Sequence, residues 1–157
     1  MAGQNIAQTL AEKPDPTASD GVIVGKYSYR FDGVVMLYNI RYKVVGLGLM
    51  DITADGAISG RHRSSITALE GQKAHIETGA YDLTGTISVD SVGTGTSAIK
   101  FKKFAGCGVD VDGDFFVQVA GSPDRLWFIS SKTTLPGSHG AKADELVTLE
   151  AVRMTSV

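Results

Sequence analysis

From Gly21 onward, apolar and polar residues alternate in short runs separated by turn-forming residues. A period of two marks a strand with one face buried and the other wet. In the first run, Val22 to Phe31, the residues Tyr27, Tyr29 and Phe31 share one face while Lys26, Ser28 and Arg30 share the other. Asp32-Gly33 breaks this run, and residues 34–42 fit either a helical turn or an irregular crossing segment. A second run, Lys43 to Thr53, leads through Ala54-Asp55-Gly56 into a third, Ala57 to Thr67. Asp-Gly between alternating runs predicts a hairpin. In the third run Arg61 and Arg63 claim the wet face, which puts His62 and Ser64 inside.

The run from His75 to Val89 places Glu77, Gly79, Tyr81, Leu83, Ile87 and Val89 on one, buried face. After Asp90-Ser91-Val92-Gly93, Gly95 to Phe104 sets Ile99 and Phe101 against Lys100 and Lys102. Asp112-Gly113 reads as the next turn, followed by Asp114 to Ala120 with Phe115, Val117 and Val119 in phase. Gly121-Ser122-Pro123-Asp124 is turn-forming by composition and leads into Arg125 to Ser131, which carries Trp127 and Phe128. Residues 132–145 read as a long polar loop before a last run, Leu146 to Met154.

The pattern predicts an all-β protein with about eight strands. Short, evenly spaced strands stack or close on themselves rather than leave edges unpaired. Consecutive hairpins without a long crossover favour an antiparallel up-and-down β-barrel over a Greek-key sandwich. Residues 1–20 are expected to be a flexible N-terminal arm, and 21–157 a single barrel domain.

Composition narrows the classes further. The chain has 157 residues, 43% hydrophobic and 20% charged, a balance suited to one packed core. Nineteen glycines against four prolines, set inside or beside the alternating runs, read as turns, bulges and close backbone approaches. The net charge of −2 comes from interspersed signs, so no nucleic-acid partner is expected. The N-terminus lacks a basic start and an apolar core, and no stretch of 18 apolar residues occurs. The expectation is therefore a cytoplasmic protein with no membrane segment. Cys107 stands alone, which excludes an intramolecular disulfide and suggests a small, at least half-buried hydrophobe. No metal site is expected: His62, His75 and His139 lack ligand spacing, and the calcium-loop-like Asp110, Asp112 and Asp114 run has Gly121 where its glutamate belongs.

Four stretches carry a resemblance: VVGLGLMDITADGAISGRHRSS from Val44, ETGAYDLTGTISVDSVGTGTSAIKF from Glu77, SPDRLWFIS from Ser122, and the terminal TLEAVRM. Together they resemble the allene oxide cyclase barrel-like proteins, a group that includes the dirigent-like β-barrels, over roughly residues 21–155. The likeness lies in strand rhythm and turn glycines, such as Asp55-Gly56 with Gly60 and Tyr81 with Gly85. It implies an apolar lumen that takes a small apolar metabolite and steers its isomerisation or cyclisation without a cofactor. It also implies association, as a homodimer or homotrimer.

Site residues follow from strand parity, because a polar group inside a barrel needs a partner and its pKa is open to shift. The candidates for acid–base chemistry are His62, Glu77 and Tyr81. The candidates for lining a substrate site are Tyr27, Tyr29, Ser64, Phe101, Phe115, Trp127 and Phe128, with His75 a further inward polar residue. Two simpler readings compete. Glu77 and His62 could hold strand register by satisfying each other, or Glu77 and His75 could sit at the rim. On the last strand, parity admits either Glu150 or Arg153 to the interior. At the level of function, a lipocalin-like carrier and a structural protein compete with the isomerase or cyclase.

Overall fold

The computed structural model describes residues 23–37, 40–69, 76–120, 124–135 and 144–155. Eight antiparallel strands close into a barrel, each bonded to its sequence neighbour and β1 bonded to β8. They are β1 (Gly25–Leu37), β2 (Ile40–Ile52), β3 (Ala57–Ala68), β4 (Ile76–Val89), β5 (Thr94–Gly106), β6 (Val111–Val119), β7 (Arg125–Thr134) and β8 (Asp144–Arg153). No helix occurs among the described residues. The predicted all-β up-and-down barrel is the observed fold. The expected N-terminal arm, His75, His139 and most of the 121–124 turn lie outside the described residues.

Inward alternation builds the core. Tyr27, Tyr29, Met50, Ile52, Ile58, Leu83, Ile99, Phe115, Phe128 and Leu149 are all nearly or wholly inaccessible. An eight-stranded barrel is just wide enough for such side chains to fill it. The Asp55-Gly56 hairpin forms as predicted: Gly56 takes φ +80°, and Gly56 N donates to Thr53 O at 2.9 Å.

Three local expectations change. Asp32-Gly33 does not end a strand, because β1 runs through it to Leu37 and pairs with both β2 and β8. Gly33 is there for close approach: a Cβ on it would lie 2.7 Å from a Val147 methyl and 2.8 Å from the Leu146 carbonyl oxygen. Residues 34–37 and 40–42 accordingly belong to the β1 and β2 strands, with Val34 opposite Lys43 and Leu37 opposite Ile40. Asp112-Gly113 likewise lies inside β6, opposite Lys100 and Ile99. The reversal falls earlier, where Gly106 and Gly108 take φ +75° and +114°, values that favour glycine. Finally, β7 extends to Thr134, shortening the expected 132–145 loop. Two bulges, one at Ala80/Tyr81 between β4 and β5 and one at Asp114/Phe115 between β6 and β7, shift register near the same end of the barrel.

The two ends differ. Around the start of β1, the chain is sealed by Ile23, Tyr27, Ile52, Leu126 and Ala151, each at most 1% exposed. Tyr27 Oη donates to Ile23 O at 2.9 Å and accepts from Arg153 Nη2 at 3.1 Å, while Arg153 Nε lies 3.3 Å from Asp124 Oδ1. Arg153 continues the inward phase of Val147, Leu149 and Ala151, whereas Glu150 is exposed and faces Arg125. That settles the choice parity left open. The opposite end, where β1 and β5 finish and β6 and β8 begin, is where the interior is not full.

Candidate functional site

A cavity of about 80 Å³ occupies this open end. Its walls are apolar side chains from around the barrel, among them Phe31, Val35, Val44, Phe101, Phe115 and Val147. Three polar side chains interrupt them, His62 and Ser64 from β3 and Tyr81 from β4. Of the buried polar residues His62, Ser97 and Thr133, only His62 borders the cavity; Ser97 Oγ is spent on Thr86 O at 2.8 Å.

The glycines of β2 make this arrangement fit. Gly48 stands opposite both Tyr29 and His62 in register, and a Cβ there would sit 2.2 Å from Cζ of Tyr29. A Cβ on Gly46 would sit 2.4 Å from Cε1 of His62. The two rings therefore lie in volume that β2 side chains would otherwise take. They are stacked at 5.7 Å with an interplanar angle of 5°, and the Tyr29 hydroxyl and His62 Nδ1 are hydrogen-bonded at 2.9 Å. Phe31 and Phe101 meet the imidazole edge-to-face at 5.1 and 5.3 Å, and Tyr81 approaches at 5.7 Å. Such edge contacts suit the ring quadrupoles.

Burial sets the electrostatics. It pushes His62 down to about 4, so the imidazole is neutral at neutral pH. It pushes Tyr29 well above the usual phenol value. Tyr81 is also raised by burial, against a hydrogen bond from Ser64 that favours the phenolate. The Tyr81 hydroxyl donates a long bond to the Cys107 carbonyl at 3.4 Å. Among the described residues, none that lines the cavity is Asp, Glu, Lys or Arg, and the site offers hydroxyl and imidazole groups without a formal charge.

The sequence-derived candidates divide cleanly. His62, Ser64, Tyr81, Phe101 and Phe115 border the cavity. Tyr29 is one step deeper, holding His62. Tyr27 and Phe128 are core: Tyr27 belongs to the sealed end, and Phe128 packs edge-to-face on Phe115 at 6.1 Å. Two placements differ from expectation. Glu77 has the inward parity but lies at the start of β4, where the wall does not yet enclose it, and is exposed. Its carboxylate meets the Cys107 thiol, which it holds above the usual thiol value. Trp127 is 52% exposed, since its neighbours Leu126 and Phe128 take the inward positions and alternation turns it out. Cys107, expected to be at least half-buried, is exposed beside Glu77. Sequence reasoning missed Phe31 and the aliphatic lining from Val35, Val44 and Val147. Val35 lay in the 34–42 segment that the pattern left unassigned.

A broader depression of about 1340 Å³ lies on the outer surface across β1 to β4, with Val45, Leu47 and Leu49 facing solvent. One of its cations is engaged locally: Arg61 sits over the Phe104 ring at 5.5 Å and 3.7 Å from Asp82. Its lining shares Phe31, His62 and Ser64 with the smaller cavity, and the smaller cavity is the better site because apolar walls surround its few polar groups.

No family model matches this chain, and no curated protein matches it. A solved structure described as EF1p2_mFAP2b bound to DFHBI is similar, with a TM-score of 0.54 and 10% identity over 89% of this chain and 100% of that one. The likeness is one of fold.

Proposed function

We propose that the protein binds a small, largely apolar molecule in the open end of its lumen. The observation that carries this reading is the convergence of His62, Ser64 and Tyr81 on an otherwise apolar cavity at the one unsealed end. Apolar walls with a few placed polar groups are the usual make-up of a small-molecule site. The structurally similar barrel is itself bound to DFHBI, which supports small-molecule binding here. A cavity of about 80 Å³ takes a group of a few heavy atoms, so a larger ligand would enter by one end.

A second reading is that the bound molecule is converted by isomerisation or cyclisation without a cofactor. Its support is the resemblance to the allene oxide cyclase barrel-like proteins together with the neutral His62 beside two un-ionised phenols, Tyr29 and Tyr81. A neutral imidazole can take a proton and a phenol can give one, and the enclosure excludes water. A carrier would have the same cavity and leave the ligand unchanged.

One experiment tests both. The protein is screened by ligand-observed NMR against small apolar metabolites, alongside Val111→Phe, which places a ring in the cavity. Hits lost in Val111→Phe support lumenal binding; hits that persist unchanged refute it. Mass analysis of each incubated hit then separates conversion from carriage, and conversion must fall in His62→Gln.

A further inference from the structure

Resting on the lumenal-binding reading, we infer that the cavity selects uncharged ligands bearing a hydrogen-bond acceptor, held by His62 Nε2–H, with Tyr29 as the positioning residue that fixes this tautomer. Among the described residues, the Tyr29 hydroxyl has a single hydrogen-bond partner, His62 Nδ1 at 2.9 Å. Tyr29 is 3% exposed, and a buried O–H left without an acceptor is costly. Tyr29 therefore donates, and Nδ1 accepts. A neutral imidazole that accepts at one nitrogen carries its proton on the other.

That other nitrogen is unbonded and not sealed. His62 is 4% exposed, yet among the described residues Nε2 has no hydrogen-bond partner, and it is not a sealed polar atom. The ring's Cε1–Nε2 edge lies beneath Gly46, at the register level of Phe31 and Ser64, and both of these border the cavity with His62. Nε2–H is thus the donor that His62 can offer the cavity it borders, whose lining carries no formal charge among the described residues. An ion would surrender its hydration there without a counter-charge. A carbonyl or ether oxygen would be met by Nε2–H, with no charge to desolvate.

The probes are cyclopentanone, its isostere methylenecyclopentane, which lacks the acceptor, and cyclopentanecarboxylate. In the wild-type protein cyclopentanone should bind about tenfold more tightly than methylenecyclopentane, and the carboxylate should bind more weakly than either. Independently of any ligand, long-range ¹H–¹⁵N spectra should show His62 protonated at Nε2 and bare at Nδ1. In Tyr29→Phe that assignment should be lost and the ketone preference should collapse. Protonation at Nδ1 in the wild type, or equal affinity for the ketone and its isostere, overturns the inference while leaving lumenal binding intact. Failure of all three probes to bind overturns both.

Discussion

Lowering the pH should destabilise this barrel through one residue, His62, in a window where few other groups titrate. In the unfolded chain an imidazole protonates near 6.5, whereas in the folded barrel burial holds His62 down to about 4. Between those values the unfolded state binds the proton and the folded state does not, so stability rises with pH across the window and falls as pH is lowered through it. Each pH unit is worth about 1.4 kcal/mol, so the full window amounts to about 3 kcal/mol. Asp55 and Asp90, held below the usual carboxylate range by hydrogen bonds from the Thr53 hydroxyl and from the Thr94 backbone N–H, act in the same direction only at more acidic pH. The assay is urea unfolding of wild type and His62→Gln at about pH 7.5, 6.5, 5.5 and 4.5 at constant ionic strength. Glutamine can still bond Tyr29 but cannot titrate, so the difference between the two profiles isolates the imidazole. The wild type should lose stability relative to the variant as pH falls. Parallel profiles would refute the claim that His62 is buried and neutral.

The remaining predictions probe the surroundings of that residue. Gly48→Ala, whose Cβ would collide with the Tyr29 ring, should cost about 1–3 kcal/mol and displace the tyrosine from His62; urea unfolding and the Tyr29 ring shifts report both. Tyr27→Phe removes the bonds to Ile23 O and from Arg153 and should cost about 1–3 kcal/mol in the same unfolding assay, with no change in ligand affinity. Glu77→Gln should leave cavity binding unchanged but lower the Cys107 thiol pKa, read as a shift to lower pH in its iodoacetamide alkylation profile. Trp127→Ala should likewise leave lumenal affinity unchanged in a binding titration.

Alternation alone was enough to find the barrel and to bring His62, Ser64 and Tyr81 to one interior, because a period of two leaves little freedom once the arginines flanking His62 claim the solvent face. It failed where parity is necessary but not sufficient. Glu77 has the right parity, yet the first residues of β4 extend past the enclosed volume. Trp127 shows the reverse error: grouping aromatics by type set it beside Phe128, although adjacent strand residues face opposite ways. Glycines misled in a third way. Gly33 and Gly113 followed aspartates and read as turns, but their role is to admit a neighbouring strand or the Phe115 ring, and such tertiary proximity has no local signature. The Tyr29–His62 bond was invisible for the same reason, since the two residues are 33 positions apart.

The Arg153–Tyr27 closure at the far end has a kinetic consequence. A lumen stopped at the bottom is a cul-de-sac, so whatever arrives must back out along the path by which it came. Successive guests must compete for the same doorway, and no second molecule can push the first one through. The side chains at the mouth, Val109 and Leu135, then form the barrier that every arrival and every departure must cross. Substituting Val109 or Leu135 should change arrival and departure rates by the same factor and leave the dissociation constant almost untouched, because both directions cross the same barrier, whereas Val111→Phe fills the cavity itself.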